Sequence, residues 1–399
     1  MRADERRVRD EELERALELA DDEREPEDVE DEQVGAFQAL LQDRRRLLMG
    51  VLVIVLIVVA IYVVFPTIVG TEEALERIDN AIWYWILAAI GFNVLAFAAY
   101  VALFRGVLSG TIDDEVHRRL DLRASYQITM AGLAATRVFS AAGIGGLVLT
   151  YWALRKAGMA RRRSACRMVA FLILTYFVYL AALITFGILL RTGVFPGDAP
   201  LAGTIVPVAF AVGVIAVFLL IALIPRDIER RIQRFGAGYR HTRFLIRFAK
   251  GPATIASGVR TAIAFLRSPR RGALALGGAV GFWGANIGIL WASFEAFGGD
   301  VPFAVLVQGF FVGMAANLIP SPAGGVGSVD AGMIGAFVLF DVPSAVVFPA
   351  VLSYRIIAFW LPIPPGIVAF FQLRKTVARW EHERSEEEAA RAAILQKVK

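Results

Sequence analysis

Residues 311–365 read FVGMAANLIPSPAGGVGSVDAGMIGAFVLFDVPSAVVFPAVLSYRIIAFWLPIPP. The stretch is apolar almost throughout, but Pro320, Pro322 and several glycines interrupt its middle, and Asp330 and Arg355 lie among its apolar residues. Non-helical backbone is tolerated at membrane depth only where protein buries it or water lines it. An ionisable side chain at that depth marks a candidate functional site. The stretch therefore predicts a membrane fold and the region of its site.

Composition places the rest of the chain in the same class. Of the 399 residues, 57% are hydrophobic, and several apolar runs exceed the 18 or so residues that indicate a membrane span. The single cysteine excludes an intrachain disulfide, and the three histidines lie in polar stretches without the spacing of a metal site. Six spans are predicted, at residues 47–65, 81–104, 168–190, 201–224, 273–297 and 344–373.

Two further apolar stretches, 124–154 and 303–340, each divide at a glycine-rich point. Their second pieces, roughly 147–154 and 328–340, are too short to cross about 30 Å of hydrocarbon at 1.5 Å per residue. We expect each stretch to be a pair of half-helices that enters the membrane, turns at the glycines and leaves on the same side. The expected fold is all-α, with six spans and two re-entrant half-helix pairs.

Charge sets the expected orientation. If the N-terminus lies in the cytoplasm and the chain alternates across the six spans, 38 of the 42 Lys and Arg residues fall in inside segments. Such an excess is typical of cytoplasmic loops. We therefore expect a multi-pass cell-membrane protein with both termini in the cytoplasm, a charged and partly disordered segment 1–46, and a tail 374–399. The basic segment 225–271 fits either an amphipathic surface helix or a solvated loop.

An internal repeat relates the two glycine-rich stretches. Residues 131–146 read AGLAATRVFSAAGIGG, and residues 312–327, 181 positions later, read VGMAANLIPSPAGGVG. By the charge count the first copy opens to the cytoplasm and the second to the outside, which is an inverted-topology repeat of about 47–190 and 201–373. Coincidental Gly/Ala richness is the alternative. The identical pairs are Gly132/Gly313, Ala134/Ala315, Ala135/Ala316, Ser140/Ser321, Ala142/Ala323, Gly143/Gly324 and Gly146/Gly327.

Several residues of these stretches are candidate site residues. Arg355 needs a partner inside its span, and either a lipid phosphodiester or a carboxylate, that of Asp330 or Glu295, would serve. Asp330 fits pairing with Arg355, attraction of a cationic headgroup or transfer of a coupling proton. Arg137 occupies the corresponding zone of the first copy, or snorkels to the cytoplasmic face. Asn317 fits a cavity lining or an interhelical hydrogen bond.

The glycine turns have two interpretations that weigh about equally. They aim the N-termini of half-helices at a lipid phosphate, or they simply permit tight turns and close packing. The glycines concerned are Gly143, Gly145, Gly146, Gly324, Gly325 and Gly327. In the span 273–297, the pairs Gly277/Gly281 and Gly284/Gly288 predict close contact with a neighbouring helix.

These motifs carry a family likeness. The run IPSPAGGVGSVDAGM, followed by YRIIAFWLP, resembles the signature of the lysylphosphatidylglycerol synthase transmembrane region, a family of flippase-like membrane proteins. AAGIGGLVLTYWALRKAGM is similar to the family's earlier glycine-rich motif. The resemblance covers about 45–375 and implies that Tyr354 belongs to the site with Arg355. The chain departs from the pattern in having Asp330 where Glu is common, and in an extra Ala323.

The resemblance implies translocation of a phospholipid or another polar lipid between leaflets, with an anionic phospholipid as the expected partner. An aminoacyl-transferring domain does not follow in this sequence, so we expect no lysyl transfer, no enzyme activity and no cofactor. Nucleic-acid binding is not expected. Two alternatives remain open: an ion-coupled carrier of a small soluble solute that uses Asp330, and a membrane scaffold for a separate synthase or glycosyltransferase.

Overall fold

The computed structural model describes residues 81–109, 114–138, 144–223, 242–267, 269–318 and 325–398. Every regular element in these ranges is helical. The charged segment 1–46, the predicted span 47–65, and two of the turn glycines, Gly143 and Gly324, lie outside the described residues.

The helices follow one another without strands in the described part of the chain. A π-helical turn extends α1 over Arg105–Ser109, a 3-10 turn extends α9 over Ala315–Leu318, and a π-helical turn follows α11 over Ile356–Trp360. The α-helices are α1 (Trp83–Phe104), α2 (Asp114–Arg119), α3 (Leu122–Val138), α4 (Ile144–Lys156), α5 (Arg161–Arg191), α6 (Ile205–Ala222), α7 (Thr242–Arg267), α8 (Pro269–Ala296), α9 (Phe303–Met314), α10 (Ser328–Leu339), α11 (Ser344–Arg355) and α12 (Ile363–Val398).

Five segments among the described residues are long and apolar enough to cross a membrane. Each overlaps one of the predicted spans, and the remaining predicted span, 47–65, lies outside the described ranges. The prediction of an all-α, multi-pass membrane protein is therefore confirmed. The five segments are Trp83–Leu108, Arg161–Arg191, Ile205–Ala222, Gly272–Ala296 and Ser344–Glu386.

The two glycine-rich stretches each form a pair of short helices, α3 with α4 and α9 with α10. Helix α10 has 12 residues, about 18 Å of length, which is well short of a bilayer core of about 30 Å. Helix α4 has 13 residues and is longer than the piece 147–154 that the sequence suggested, yet it is also short of a full crossing.

Helices α1 and α8 pack closely against each other. A Cβ atom on Gly278 would clash with the Leu103 backbone nitrogen, so only glycine permits this approach. Gly281 and Gly288 also face α1, but a Cβ atom on Gly277 or Gly284 would have no neighbour within 4 Å. The predicted close contact is present. Two of the four glycines predicted to make it, Gly277 and Gly284, do not, because the contacting face of α8 is rotated toward Gly278.

Besides a small cluster around Leu190 and Phe340, two large hydrophobic cores lie toward opposite ends of the long helices. One joins α3, α4 and α12 to the Leu103 end of α1 and to the first half of α5. The other joins α9, α10 and α11 to the Ala89 end of α1 and to the later part of α5. Apolar surface removed from water or lipid at two separate places thus fixes one helix pair at each end of α1.

The last predicted span is not one continuous helix. Helix α11 ends at Arg355, the π-helical turn covers Ile356–Trp360, and α12 begins at Ile363. Pro364 and Pro365 occupy the first turn of α12, where a missing backbone N–H leaves no intrahelical bond unmade. Helix α11 packs against α8 and α10, whereas α12 packs along α3.

The basic segment is helical where the structure describes it. Residues 242–267 form α7, which packs against α5 and α6. Ala256, Val259 and Ala262 are buried, and Gly258 lies against Val169 of α5. The sequence left open a surface helix or a solvated loop for the basic segment. The solvated loop is wrong for this range, because residues 242–267 are helical and bury apolar residues against neighbouring helices.

Candidate functional site

The turn before α10 positions an acidic side chain in the protein interior. Gly325 and Gly327 have φ angles of 91° and 86°, which favour glycine, and α10 begins at the next residue, Ser328. Asp330 lies in the first helical turn, and its Oδ2 accepts the Gly327 N–H at 2.8 Å. The carboxylate thereby satisfies one of the free N–H groups at this helix end and gains from the helix dipole.

Arg355, the last residue of α11, pairs with that carboxylate. Its Nε donates to Asp330 Oδ1 at 2.7 Å, and its Nη2 donates to the Gly325 carbonyl at 3.1 Å. The side chains of Arg355 and Asp330 are 5% and 10% exposed, so the pair lies in the interior. Of the partners that the sequence allowed for Arg355, the structure places it with Asp330. This pair holds the glycine turn, the start of α10 and the end of α11 together.

A second guanidinium, that of Arg137 at the end of α3, approaches the same place. Arg137 Nη2 donates to the Ala358 carbonyl in the π-helical turn at 2.9 Å. Its guanidinium carbon lies 5.4 Å from the centroid of the Phe359 ring, and the corresponding carbon of Arg355 lies 4.5 Å from that centroid. Arg137 thus reaches the broken part of the last span. Both arginines gain a cation–π contact with one aromatic ring.

Among the described residues, this site holds two arginines and one carboxylate. Asp330 pairs with Arg355, while Arg137 has no carboxylate partner among the described residues, and its buried Nη1 has no hydrogen-bond acceptor there. The two ring distances place the guanidinium carbons no more than about 10 Å apart, and salt screens charges in the interior little. Like charges this close repel each other, and an additional anion would stabilise both.

Trp360, next to Phe359, supplies another buried donor. Its Nε1 has no hydrogen-bond partner among the described residues. Sequence reasoning missed both aromatic residues, because an aromatic pair in an apolar span is most simply explained by packing. The available signal was their position within three residues of Pro362, near which a helix is expected to break.

Two other predicted site residues, Tyr354 and Asn317, make contacts with residues other than Asp330 and Arg355. The Tyr354 hydroxyl donates to Asn286 Oδ1 of α8 at 3.3 Å, so it joins α11 to α8 rather than contacting Asp330. Asn317 is exposed, and a Cβ on Gly325 would lie 2.7 Å from its Oδ1. Its amide nitrogen lies 3.9 Å from the Met314 sulfur, within helix α9 and its 3-10 extension.

The described turn glycines differ in what they can offer a ligand. The N–H of Gly327 is occupied by Asp330. Gly146 is buried, and a Cβ there would clash with the Gly132 carbonyl oxygen, so its small size permits the contact of α3 with α4. Gly145 lies beside it in the first turn of α4 and is only partly buried. For Gly146 and Gly327 the structure favours packing and turn formation over anion binding.

The helices, the five candidate spans and an interior ion pair with an additional, partly buried arginine define an integral, multi-pass membrane protein. Residues 47–366 match the sequence profile of the lysylphosphatidylglycerol synthase TM region, and the chain belongs to that family. The site residues Asp330, Arg355 and Arg137 all lie within the matched region.

Two relatives carry the description "UPF0104 membrane protein", both from Methanothermobacter thermautotrophicus. One is 26% identical over 332 residues, which cover 80% of this chain and 94% of the relative. The other is 32% identical over 79 residues, 20% of this chain and 24% of the relative. The likeness to the first therefore extends over nearly its whole length.

Proposed function

We propose that this protein translocates a phospholipid or another polar lipid that carries a phosphate between the two leaflets of a cell membrane. The observation that carries the proposal is Arg137, whose buried Nη1 has no acceptor among the described residues. Buried donors nearly always have a partner, and a charged donor in a membrane interior is costly. A phosphate oxygen is the acceptor that a guanidinium binds best.

In this proposal Arg355 and Asp330 hold the surrounding helices in place, and Arg137 binds the phosphate. Two of the Arg355 donors are already engaged by Asp330 and Gly325, so the phosphate would bind chiefly to Arg137. The positive charge of Arg355 faces the same ring of Phe359 and would add attraction at a distance. Trp360 Nε1 is a second buried donor beside that ring.

The arrangement of helices supports an inverted repeat with a site between its halves. A shift of 181 positions brings the start of α3 onto the start of α9, and it brings the starts of α1, α4 and α5 to within five residues of those of α8, α10 and α11. The pair α3/α4 packs at one end of α1 and the pair α9/α10 at the other. Many transporters with inverted repeats bind their substrate near the midplane, at the repeat interface.

In this proposal the chain has six spans, with 47–65 as the first, and two re-entrant helix pairs. Both termini are cytoplasmic, as the distribution of Lys and Arg predicts. The headgroup passes between the two halves, and Arg137 neutralises its phosphate while the acyl chains remain in the lipid. No bond is made or broken in this process, so we propose a transporter rather than an enzyme.

Lipid translocation is tested with the purified full-length chain in liposomes that contain headgroup-labelled phosphatidylglycerol and a membrane-impermeant quencher. The label on the inner leaflet is protected unless the protein moves it outward. We expect rapid loss of the protected signal with the wild type and at least about a tenfold slower loss with Arg137→Gln, because one charge-assisted hydrogen bond contributes about 1.5–3 kcal/mol. Arg191→Gln, at the exposed last residue of α5, is the matched control.

The proposal fails if Arg137→Gln, shown to be monodisperse and helical, moves lipid as fast as the wild type. Absence of lipid movement together with uptake of a soluble solute driven by a proton gradient would favour the ion-coupled carrier. Absence of both, with retention of a synthase on the purified protein, would favour the scaffold.

A further inference from the structure

A cavity of about 390 Å³ lies where α2 and the start of α3 meet α12. It shares no lining residue with the site around Arg137. Its volume falls in the range of pockets that hold small ligands, about 300–1,000 Å³. The cavity is therefore a separate candidate binding site.

Arginine dominates the lining of this cavity. Arg118 and Arg119 come from α2, Arg123 from the first turn of α3, and Arg379 from α12. Among the residues whose side chains the structure describes, which leave out Asp114 and Glu115, Arg118, Arg123 and Arg379 have no ion-pair partner within 4.0 Å. Three exposed arginines thus line one space, and none of them forms an ion pair with either of the acidic residues that line it.

Two acidic residues line the cavity beside the four arginines, so its formal balance is two positive charges. Asp121 is committed to the protein, because its Oδ1 accepts the backbone N–H of Ala124 at 2.6 Å at the start of α3. Glu383 is exposed on α12. A ligand that matches this lining carries more than one negative charge.

The cavity lies at the boundary between apolar and charged surface. Leu122 and Tyr126 of α3 are 60% and 41% exposed beside it, and on α12 the exposed Val368 and Phe371 precede the charged residues. Trp380 lines the cavity and is itself 5% exposed. Exposed apolar residues next to a basic cluster are typical of the level at which lipid headgroups lie.

We infer that this cavity binds a phosphate group with more than one negative charge. Arginine suits such a group because its planar fork donates two parallel hydrogen bonds to phosphate oxygens. The phosphate belongs either to a lipid headgroup, such as a phosphomonoester, or to a soluble ion, such as pyrophosphate. Occupation of the cavity does not depend on translocation, so it stands independently of the transport proposal.

The test titrates the purified full-length protein in detergent with phosphatidic acid, and in parallel with phosphatidylcholine, and counts bound lipid by native mass spectrometry. The variant Arg123→Gln/Arg379→Gln removes two cavity charges. The control Arg162→Gln/Lys375→Gln removes two exposed charges that do not line the cavity. We expect phosphatidic acid to bind more tightly than phosphatidylcholine, and the cavity variant to weaken its binding about 30-fold.

A third titration uses inorganic pyrophosphate to compete with bound phosphatidic acid. Competition assigns the cavity to a soluble phosphate as well, whereas its absence assigns the cavity to the lipid. The inference is overturned if the cavity variant and the control weaken binding equally, since the attraction would then be diffuse. It is also overturned if phosphatidic acid binds no better than phosphatidylcholine. Neither result bears on Arg137, so the two proposals fail separately.

Discussion

Asp330→Asn removes the negative charge beside Arg355 while it leaves a side-chain oxygen for the Gly327 N–H. The pair is bonded at 2.7 Å between side chains that are 5% and 10% exposed, so water screens it little. Two unit charges about 4 Å apart interact by about 4 kcal/mol at an effective dielectric constant of 20. Removal of one partner of a buried pair costs about 3–5 kcal/mol, because the other charge stays buried without compensation.

We therefore expect Asp330→Asn to lower the free energy of unfolding by about 4 kcal/mol. Asp330→Leu also loses the bond to the Gly327 N–H and should cost about 1 kcal/mol more. The double variant Asp330→Leu/Arg355→Met replaces both charges by apolar groups, and it should be more stable than Asp330→Leu alone.

The measurement is equilibrium unfolding of the full-length protein in mixed micelles, with SDS as the denaturant and far-UV circular dichroism as the signal. The wild type, Asp330→Leu, Arg355→Met and the double variant form a double-mutant cycle. The loss of unfolding free energy in the double variant is compared with the sum of the losses in Asp330→Leu and Arg355→Met. If the two agree to within about 0.5 kcal/mol, the residues do not stabilise the fold as a pair. Additivity of that kind would contradict the energy inferred from burial and distance.

Two smaller predictions use matched positions. Gly278→Ala should lower the free energy of unfolding by about 1–3 kcal/mol, because the added Cβ would meet the Leu103 backbone. Gly277→Ala should change it by less than about 1 kcal/mol, because no atom lies within 4 Å of the added Cβ. Equal melting temperatures for the two variants would contradict this packing. Glu381→Gln breaks a 3.0 Å contact with Lys156, and because the Glu381 side chain is 49% exposed, the change should cost less than about 1 kcal/mol in the same unfolding assay. A loss as large as that of Asp330→Asn would show that exposure does not decide the strength of these pairs.

Local patterns in the sequence predicted much of this fold. Runs of apolar residues located the described spans, and glycine-rich interruptions located the helix pairs, because both signals are contained within about 20 residues. Asp330 and Arg355 were recognisable as candidates because an ionisable residue in an apolar segment requires a partner. Their spacing of 25 positions kept the pair within one stretch of sequence.

Contacts between distant segments were not predictable in the same way. Arg137 donates to the carbonyl of Ala358, 221 positions later, and no local pattern selects a backbone carbonyl so far along the chain. The choice of Gly278 over Gly277 for the contact with α1 depends on the rotation of α8 about its axis. A rotation by one residue, about 100°, changes the contacting face without changing the composition of the helix.

The interruption at Ile356–Trp360 has a mechanical consequence. Helix α11 packs against α8 and α10, and α12 packs against α3. The last span therefore connects the two ends of the molecule through a short joint that is not α-helical. A continuous α-helix bends only gently, whereas a π-helical turn is a place where a sharp change of direction occurs. Rocking of one end against the other would bend the last span at this joint. Ala358 and Phe359, the two contacts of Arg137 on this span, are part of it, so such a rocking would change the distance between that arginine and Arg355.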